Sequence, residues 1–292
     1  MAVSSKSLIK SIMIFGGAQI FTVIAAIIRN KVAAVTIGAA GLGLSALYQT
    51  ISQFVANTAN MGLPDSAVQG LASTQDEDKR KERVSILRLW ELITASFSML
   101  LMLIFAPFIC KLYFGGWLEN IVQILLLSIV PPCFIINGIE LAILKSYGER
   151  RRLSQTIIAT AILSVIISIP LYIYIGWKGI IFVVVLSALS TAVIALWQAW
   201  HVCPARPVLS FIRTPKVLWN NSKSMVLLGL SLVITGIGSM GAEMLTQTYF
   251  TMFASLTMVG FYKAGYQFSI TYPCMIFSAI SKIGRASCRE RV

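Results

Sequence analysis

Residues 154–200 read SQTIIATAILSVIISIPLYIYI, then GWKG, then IIFVVVLSALSTAVIALWQAW. Two continuously apolar runs, Ser154–Ile175 and Ile180–Trp200, are joined by only four residues. A hydrocarbon core about 30 Å thick takes roughly 20 apolar residues per helix. Each run therefore reads as one full crossing, and the pair as a helical hairpin within a membrane. The runs are apolar along their length and do not alternate apolar with polar, which argues for helices over barrel strands. The same signature recurs at Leu8–Ile37, Leu44–Ser73, Val84–Cys110, Ile121–Leu144, Met225–Phe250 and Phe261–Ser281, making eight spans. The first two exceed a bilayer's need and are expected to tilt or protrude. With 57% hydrophobic and 12% charged residues and a mean hydropathy of +0.81, the fold class is all-α and polytopic.

The connections carry an alternating charge. Lys79, Arg80, Lys81 and Arg83 follow span 2, Lys145, Arg150, Arg151 and Arg152 follow span 4, and Arg206, Arg213, Lys216 and Lys223 follow span 6. After spans 3, 5 and 7 come only Lys111, Lys178 and no basic residue. Lys and Arg stay on the cytoplasmic side, which predicts a cytoplasmic N-terminus, and Lys6 and Lys10 agree. The net charge of +13 then needs no nucleic acid, since loop cations set topology and meet anionic headgroups. The first apolar run is too long for a signal peptide and lacks a small-residue cleavage site. Cys110, Cys133, Cys203 and Cys274 have no metal-like spacing and read as reduced packing residues.

Residues 283–292, IGRASCRERV, back-translate naturally into a common sequencing adapter and are expected to be a read-through artefact. On that expectation the reading frame continues beyond span 8. A faint parallel repeat supports two lobes. Lys6-Ser7 and Lys223-Ser224 open spans 1 and 7 at an offset of 217 residues. Ala46-Leu-Tyr48-Gln49 and Ala264-Gly-Tyr266-Gln267 enter spans 2 and 8 at an offset of 218. Both openings run in the same direction, and parallel six-span repeats are a transporter plan. The expected division is a six-helix lobe with its cytoplasmic linker over 1–215 and the first two helices of a second lobe over 216–282. In the linker, Pro204, Pro207 and Pro215 disfavour a regular helix, and Phe211, Val217, Leu218 and Trp219 suggest an interfacial segment.

Polar residues inside the spans point to a cavity. Span 2 carries Ser45, Gln49, Gln53, Asn57 and Asp65, span 5 carries Thr156, Thr160, Ser164, Ser168 and Tyr172, and span 7 carries Ser231, Thr235, Ser239, Glu243 and Gln247. Residues four apart stay on one broad helix face. Helix packing accounts for the span 5 row. The amides and carboxylates of spans 2 and 7 need a partner or water, and a shared aqueous cavity supplies both. Ionisable groups within spans usually face a bundle interior, and Arg29, Lys31, Asp65, Glu140, Glu243 and Lys263 are the candidates. A helix over Ser7–Ile37 would be about 46 Å long and would carry Arg29 about two-thirds of the way across. Snorkelling to the outer surface is the competing reading for Arg29 and Lys31. For Glu140, a structural pair with Lys145 or a neighbouring helix is the competing reading. Pro64, Pro131-Pro132, Pro170 and Pro273 are candidate kinks. No Walker loop, nucleophile elbow, metal-ligand pair or catalytic residue stands out, so no enzyme, cofactor or metal site is expected.

Four stretches carry a family resemblance: Arg29-Asn-Lys31, Gly38-Ala-Ala-Gly41-Leu-Gly43-Leu, Leu141-Ala-Ile-Leu144-Lys145-Ser-Tyr-Gly148 and Val259-Gly260-Phe-Tyr-Lys-Ala-Gly-Tyr-Gln267. In these the chain resembles the lipid-linked oligosaccharide (O-antigen, Wzx-type) flippases of the multidrug/oligosaccharidyl-lipid/polysaccharide exporter superfamily. The resemblance runs from Lys6 to about Lys282, the first two-thirds of such a protein. It implies two six-helix lobes around a V-shaped cavity that opens to each side in turn. It also implies movement of a polyprenyl-pyrophosphate-linked glycan across a bacterial inner membrane, alongside a polysaccharide polymerase and chain-length regulator. Arg29, Lys31 and Lys263 inherit the role of cavity cations. Gln49, Gln53, Asn57, Asp65, Glu140, Glu243 and Gln247 are the polar or coupling residues.

Other readings stay open. A same-fold exporter could carry a peptidoglycan or teichoic acid precursor, or be a drug/cation antiporter; the antiporter would favour an acidic cavity, whereas these cations favour anionic cargo. A membrane polysaccharide polymerase or ligase would need a large extracytoplasmic loop, and no connection exceeds about a dozen residues on that side. Topology has a direct check. Single cysteines at Lys81, Arg151 and Lys216 should react with an impermeant maleimide only after the membrane is permeabilised, and cysteines at Gly115 and Ser255 in intact cells. Labelling at Lys81 in intact cells would reverse the orientation.

Overall fold

In the computed structural model, residues 5–72, 74, 76–114, 120–207, 215–275 and 277 are described. Their helices are α1 (Ser5–Thr36), α2 (Gly38–Ala59), α3 (Leu63–Ala72), α4 (Glu77–Phe114), α5 (Ile121–Leu127), α6 (Val130–Ser146), α7 (Arg150–Tyr174), α8 (Gly179–Trp200), α9 (Pro215–Phe253) and α10 (Leu256–Tyr266). A 3₁₀ turn, Gly176–Lys178, precedes α8, and a π turn, Gln267–Thr271, follows α10. No strand occurs among the described residues. Among the described residues, five stretches are long and apolar enough to cross a membrane: Gly16–Thr36, Glu77–Tyr113, Ile121–Ser146, Arg150–Tyr174 and Gly176–Trp200. The chain is thus an all-α, polytopic membrane protein. The other three expected spans fall on α2–α3, α9, and α10 with its π turn, whose polar rows dilute their apolar character.

Two expected spans are broken. Span 2 divides at Asn60–Gly62, where Met61 (φ 51°) and Gly62 (φ 66°) adopt left-handed conformations. Glycine enters that region without a Cβ penalty, and Asn60 Oδ1 accepts from the Gly62 N–H at 2.8 Å. Pro64 therefore sits in the first turn of α3, where its missing N–H costs nothing. Span 4 divides at Ser128–Ile129, just before Pro131-Pro132. Pro170 lies within a continuous α7. The π turn ends two residues before Pro273, which cannot donate to the Ser269 carbonyl; widening the preceding turn accommodates that loss.

Boundaries shift elsewhere. α4 begins at Glu77, earlier than the expected Val84, and its 38 residues extend roughly 57 Å. Its charged first turns are good helix formers, and Glu77 and Asp78 complement the N-terminal dipole. α9 begins at Pro215, a favoured first helical residue. Val217, Leu218 and Trp219 consequently belong to α9 and not to an irregular linker. Phe211, Gly115, the end of span 8 at Ser281 and the tail 283–292 lie outside the described residues.

α2 is the central helix, packed against α1, α4, α6, α8, α9 and α10. Leu44, Leu47, Tyr48 and Ile51 fall on one face at helical spacing and bury in the main core. Met102, Ile109, Ile124, Leu127 and Val184 complete that core from α4, α5 and α8. The outer surface instead shows Ile104, Phe108, Ile166, Ile173 and Val193, the apolar belt that lipid covers in a membrane protein. Cys110, Cys133 and Cys203 are buried free thiols, as expected of packing residues, whereas Cys274 is exposed.

The α2–α10 crossing is unusually close and reciprocal. A Cβ on Gly43 would stand 2.0 Å from the Leu256 carbonyl oxygen, and one on Gly260 would stand 2.0 Å from that of Ala39. Neither helix can carry a side chain there without backbone displacement. Gly260→Ala should cost about 1–3 kcal/mol, measured by thermal unfolding in detergent. Gly236→Ala, where a Cβ meets nothing within 4 Å, should be neutral or slightly stabilising. Equal melting temperatures for the two variants would contradict this packing.

Candidate functional site

A cavity of about 470 Å³ opens beside the α2–α10 crossing. Its walls come from α1, α2, α6, α7, α8, α10 and the π turn. The outer face of α2, opposite its buried stripe, contributes Ser45, Gln49 and Gln53. Continuity of α1 to Thr36 carries Arg29 and Lys31 into the wall, as the uninterrupted helix of the sequence reading required.

Arg29 Nη1 donates to Ser164 Oγ of α7 at 2.9 Å. Ser164 belongs to the row read as simple helix packing, yet here it orients the cavity guanidinium. Asn30 Nδ2 donates to Gln267 Oε1 at 2.7 Å and to Tyr272 Oη at 3.1 Å, tying α1 to the segment after α10. Among the described residues, no carboxylate forms an ion pair with Arg29 or Lys31. Lys263 differs, because its ammonium pairs with Glu243 of α9. The same Glu243 oxygen accepts from Gln247 Nε2 at 3.2 Å. Glu243 and Gln247 thus stand behind Lys263 and are not themselves part of the lining.

The structure brings together Arg29, Lys31, Lys263, Gln49 and Gln53 as one lining and places the remaining candidates elsewhere. Asn57 donates to Met240 Sδ of α9. Asp65 is exposed in the first turn of α3, because the break at Asn60–Gly62 ends the regular spacing that projected it onto the α2 face. Glu140 is buried away from the cavity, in a bidentate pair with Arg88 at 2.9 and 3.0 Å. Its partner is neither Lys145 nor a cavity group.

Arg88 and its neighbour Glu91 are the charged residues that sequence reasoning missed. Both are at least nine-tenths buried. Arg88 Nη1 also donates to the Cys203 and Ala205 carbonyls at 2.9 and 2.6 Å, and its guanidinium lies 4.8 Å from the Trp200 ring. It knots α4, α6 and the end of α8 to the segment that leads towards α9. The available signal was an Arg and a Glu three residues apart inside span 3, with another Glu inside span 4. Among the described residues, no cluster of His, Cys, Asp or Glu could hold a metal ion.

The site is thus a polar, cation-bearing cavity between the helices of a multi-pass bundle. The chain belongs to the polysaccharide biosynthesis protein family, whose model matches residues 8–283. Its fold is similar to that of a MOP superfamily transporter from Pyrococcus furiosus, at 16% identity and a TM-score of 0.50. That similarity covers 94% of this chain and 68% of the other, whose binding pocket is described as having reverse polarity, suggesting a different function. No curated protein matches the chain.

Breaking the buried Arg88–Glu140 pair from one side leaves an uncompensated charge. Arg88→Met should therefore destabilise the protein by about 3–5 kcal/mol. Arg88→Met with Glu140→Met should be less damaging than the single change. Chemical denaturation in detergent measures both, and an Arg88→Met protein as stable as the parent would contradict the arrangement.

Proposed function

We propose that the chain serves to translocate a polyprenyl-pyrophosphate-linked oligosaccharide across the bacterial inner membrane by alternating access. The observation that carries this reading is the pair Arg29 and Lys31, set in a polar cavity with no carboxylate paired to either among the described residues. Cations left without counter-ions favour an anionic guest. A guanidinium meets phosphate oxygens in a planar fork, which an ammonium cannot reproduce. The amides and hydroxyls of Gln49, Gln53, Ser45, Ser187 and Thr191 offer both donors and acceptors to sugar hydroxyls. Membership of the polysaccharide biosynthesis protein family agrees with such a cargo.

In this reading Arg29 holds the pyrophosphate, Lys31 adds charge at the mouth, and the polyprenyl tail stays in lipid. A drug/cation antiporter fits less well, because Glu243, which borders the cavity through the lining residue Lys263, is already neutralised by it. Two lobes, 1–215 and 216–282, would meet at the α2–α10 crossing. Gly43 and Gly260 differ by 217 residues, as do their contacts Ala39 and Leu256. That reciprocity supports a pseudo-two-fold relation between the lobes. The N-terminus and the basic connections would face the cytoplasm, with the polysaccharide polymerase and chain-length regulator as partners in the same pathway.

The test is export in the encoding strain. Arg29→Ala should lower surface glycan by roughly 10–100-fold, the loss associated with a charge-assisted hydrogen bond, at unchanged membrane abundance. Arg29→Lys should restore export only in part. Full export by Arg29→Ala at normal abundance would return Arg29 to a snorkelling role.

A further inference from the structure

Lys263 lines the cavity, whereas its partner Glu243 stands behind it on α9. The two side chains are 19% and 20% exposed, so the pair borders the cavity without being sealed from it. A pair that reaches the cavity in this way can be approached by a competing anion from the cavity side. Glu243 is steadied by Gln247, one turn further along α9. Gln247 is itself buried, and its Oε1 has no hydrogen-bond partner among the described residues. The Lys263 ammonium also lies 5.6 Å from the Tyr266 ring, a second favourable resting place.

Charge balance separates the three cavity cations. Among the described residues, Arg29 and Lys31 each present a charge with no paired carboxylate, while Lys263 is neutralised where it rests. We infer that Glu243 is a specificity-determining counter-ion. It withholds Lys263 in the empty cavity and releases it only to a cargo group anionic enough to displace a carboxylate. This rests on the anionic-cargo reading above and adds discrimination to it. A neutral glycan-lipid gains nothing from Lys263, whereas a diphosphate or acidic sugar competes with Glu243 for it. The exchange also restores the Lys263–Glu243 pair when the cargo leaves, because Glu243 recaptures the ammonium. Discrimination of this kind works by penalising the wrong guest as well as by rewarding the right one.

The experiment compares binding of a polyprenyl diphosphate and of the polyprenol of equal length to the chain in nanodiscs. Glu243→Gln removes the competitor and should tighten diphosphate binding about tenfold, leaving polyprenol binding unchanged. Glu243→Asp, which keeps the charge, should stay near the parent. Adding Lys263→Met to Glu243→Gln should erase the gain. Lys263→Met alone supplies an independent arm: it leaves the carboxylate unpaired and should weaken diphosphate binding. Unchanged or weaker diphosphate binding by Glu243→Gln, with Arg29→Ala still weakening it, would make the pair merely structural and leave the anionic-cargo reading standing. Diphosphate binding indifferent to both Arg29→Ala and Lys31→Ala would overturn that reading, and this inference with it.

Discussion

Hydrocarbon contains no water to satisfy a polar group, and most of this structure can be understood from that constraint. Ser and Thr hydroxyls such as Thr156 and Ser168 donate to a carbonyl one turn back on their own helix, but an amide or a charge on a span must find a partner on another helix or border a cavity. The chain uses both solutions and keeps them apart. Arg88 and Glu140 satisfy one another in a buried, bidentate pair, with two carbonyls accepting from Arg88 Nη1. Arg29, Lys31, Gln49 and Gln53 instead border a shared cavity. The first arrangement is closed and holds helices together. The second leaves hydrogen-bonding capacity open to a guest.

α2 connects the two. Its buried stripe of Leu44, Leu47, Tyr48 and Ile51 belongs to the main core, while Ser45, Gln49 and Gln53 on the other side belong to the cavity. A helix so used must be rigid on one face and wet on the other. The crossing at Gly43 and Gly260 brings α10 against it, and with α10 come Lys263 and Gln267. Asn30 then links α1 to Gln267 and Tyr272. The cavity is therefore assembled from residues separated by more than 200 positions in sequence.

Much of this was legible in the sequence, for physical reasons. Apolar runs of bilayer length identify helices directly, because few soluble elements resemble them. The row Ser45, Gln49, Gln53 named a real face, since α2 is continuous across it. The same row failed at Asp65, because the left-handed pair Met61–Gly62 starts a new helix with its own direction. Ser164 was read as packing because a lone hydroxyl carries no long-range information about an arginine on α1. Arg88 was hidden by its position just past a basic segment, where a cation resembles a topology signal. The Glu243–Lys263 pair lay in two rows that were each recognised, yet nothing in their spacing showed that one charge cancels the other.

The central claim is that the cations at Arg29 and Lys31 receive an anionic lipid-linked group inside the cavity. A photoactivatable polyprenyl diphosphate, cross-linked in membranes and mapped by mass spectrometry, tests it directly. The account predicts adducts on residues bordering the cavity, such as Asn30, Gln49 and Gln267, that excess unlabelled diphosphate suppresses and the matching polyprenol does not. Adducts confined to the lipid-facing belt around Ile104, Ile166 and Val193, or suppressed equally by the polyprenol, would contradict it.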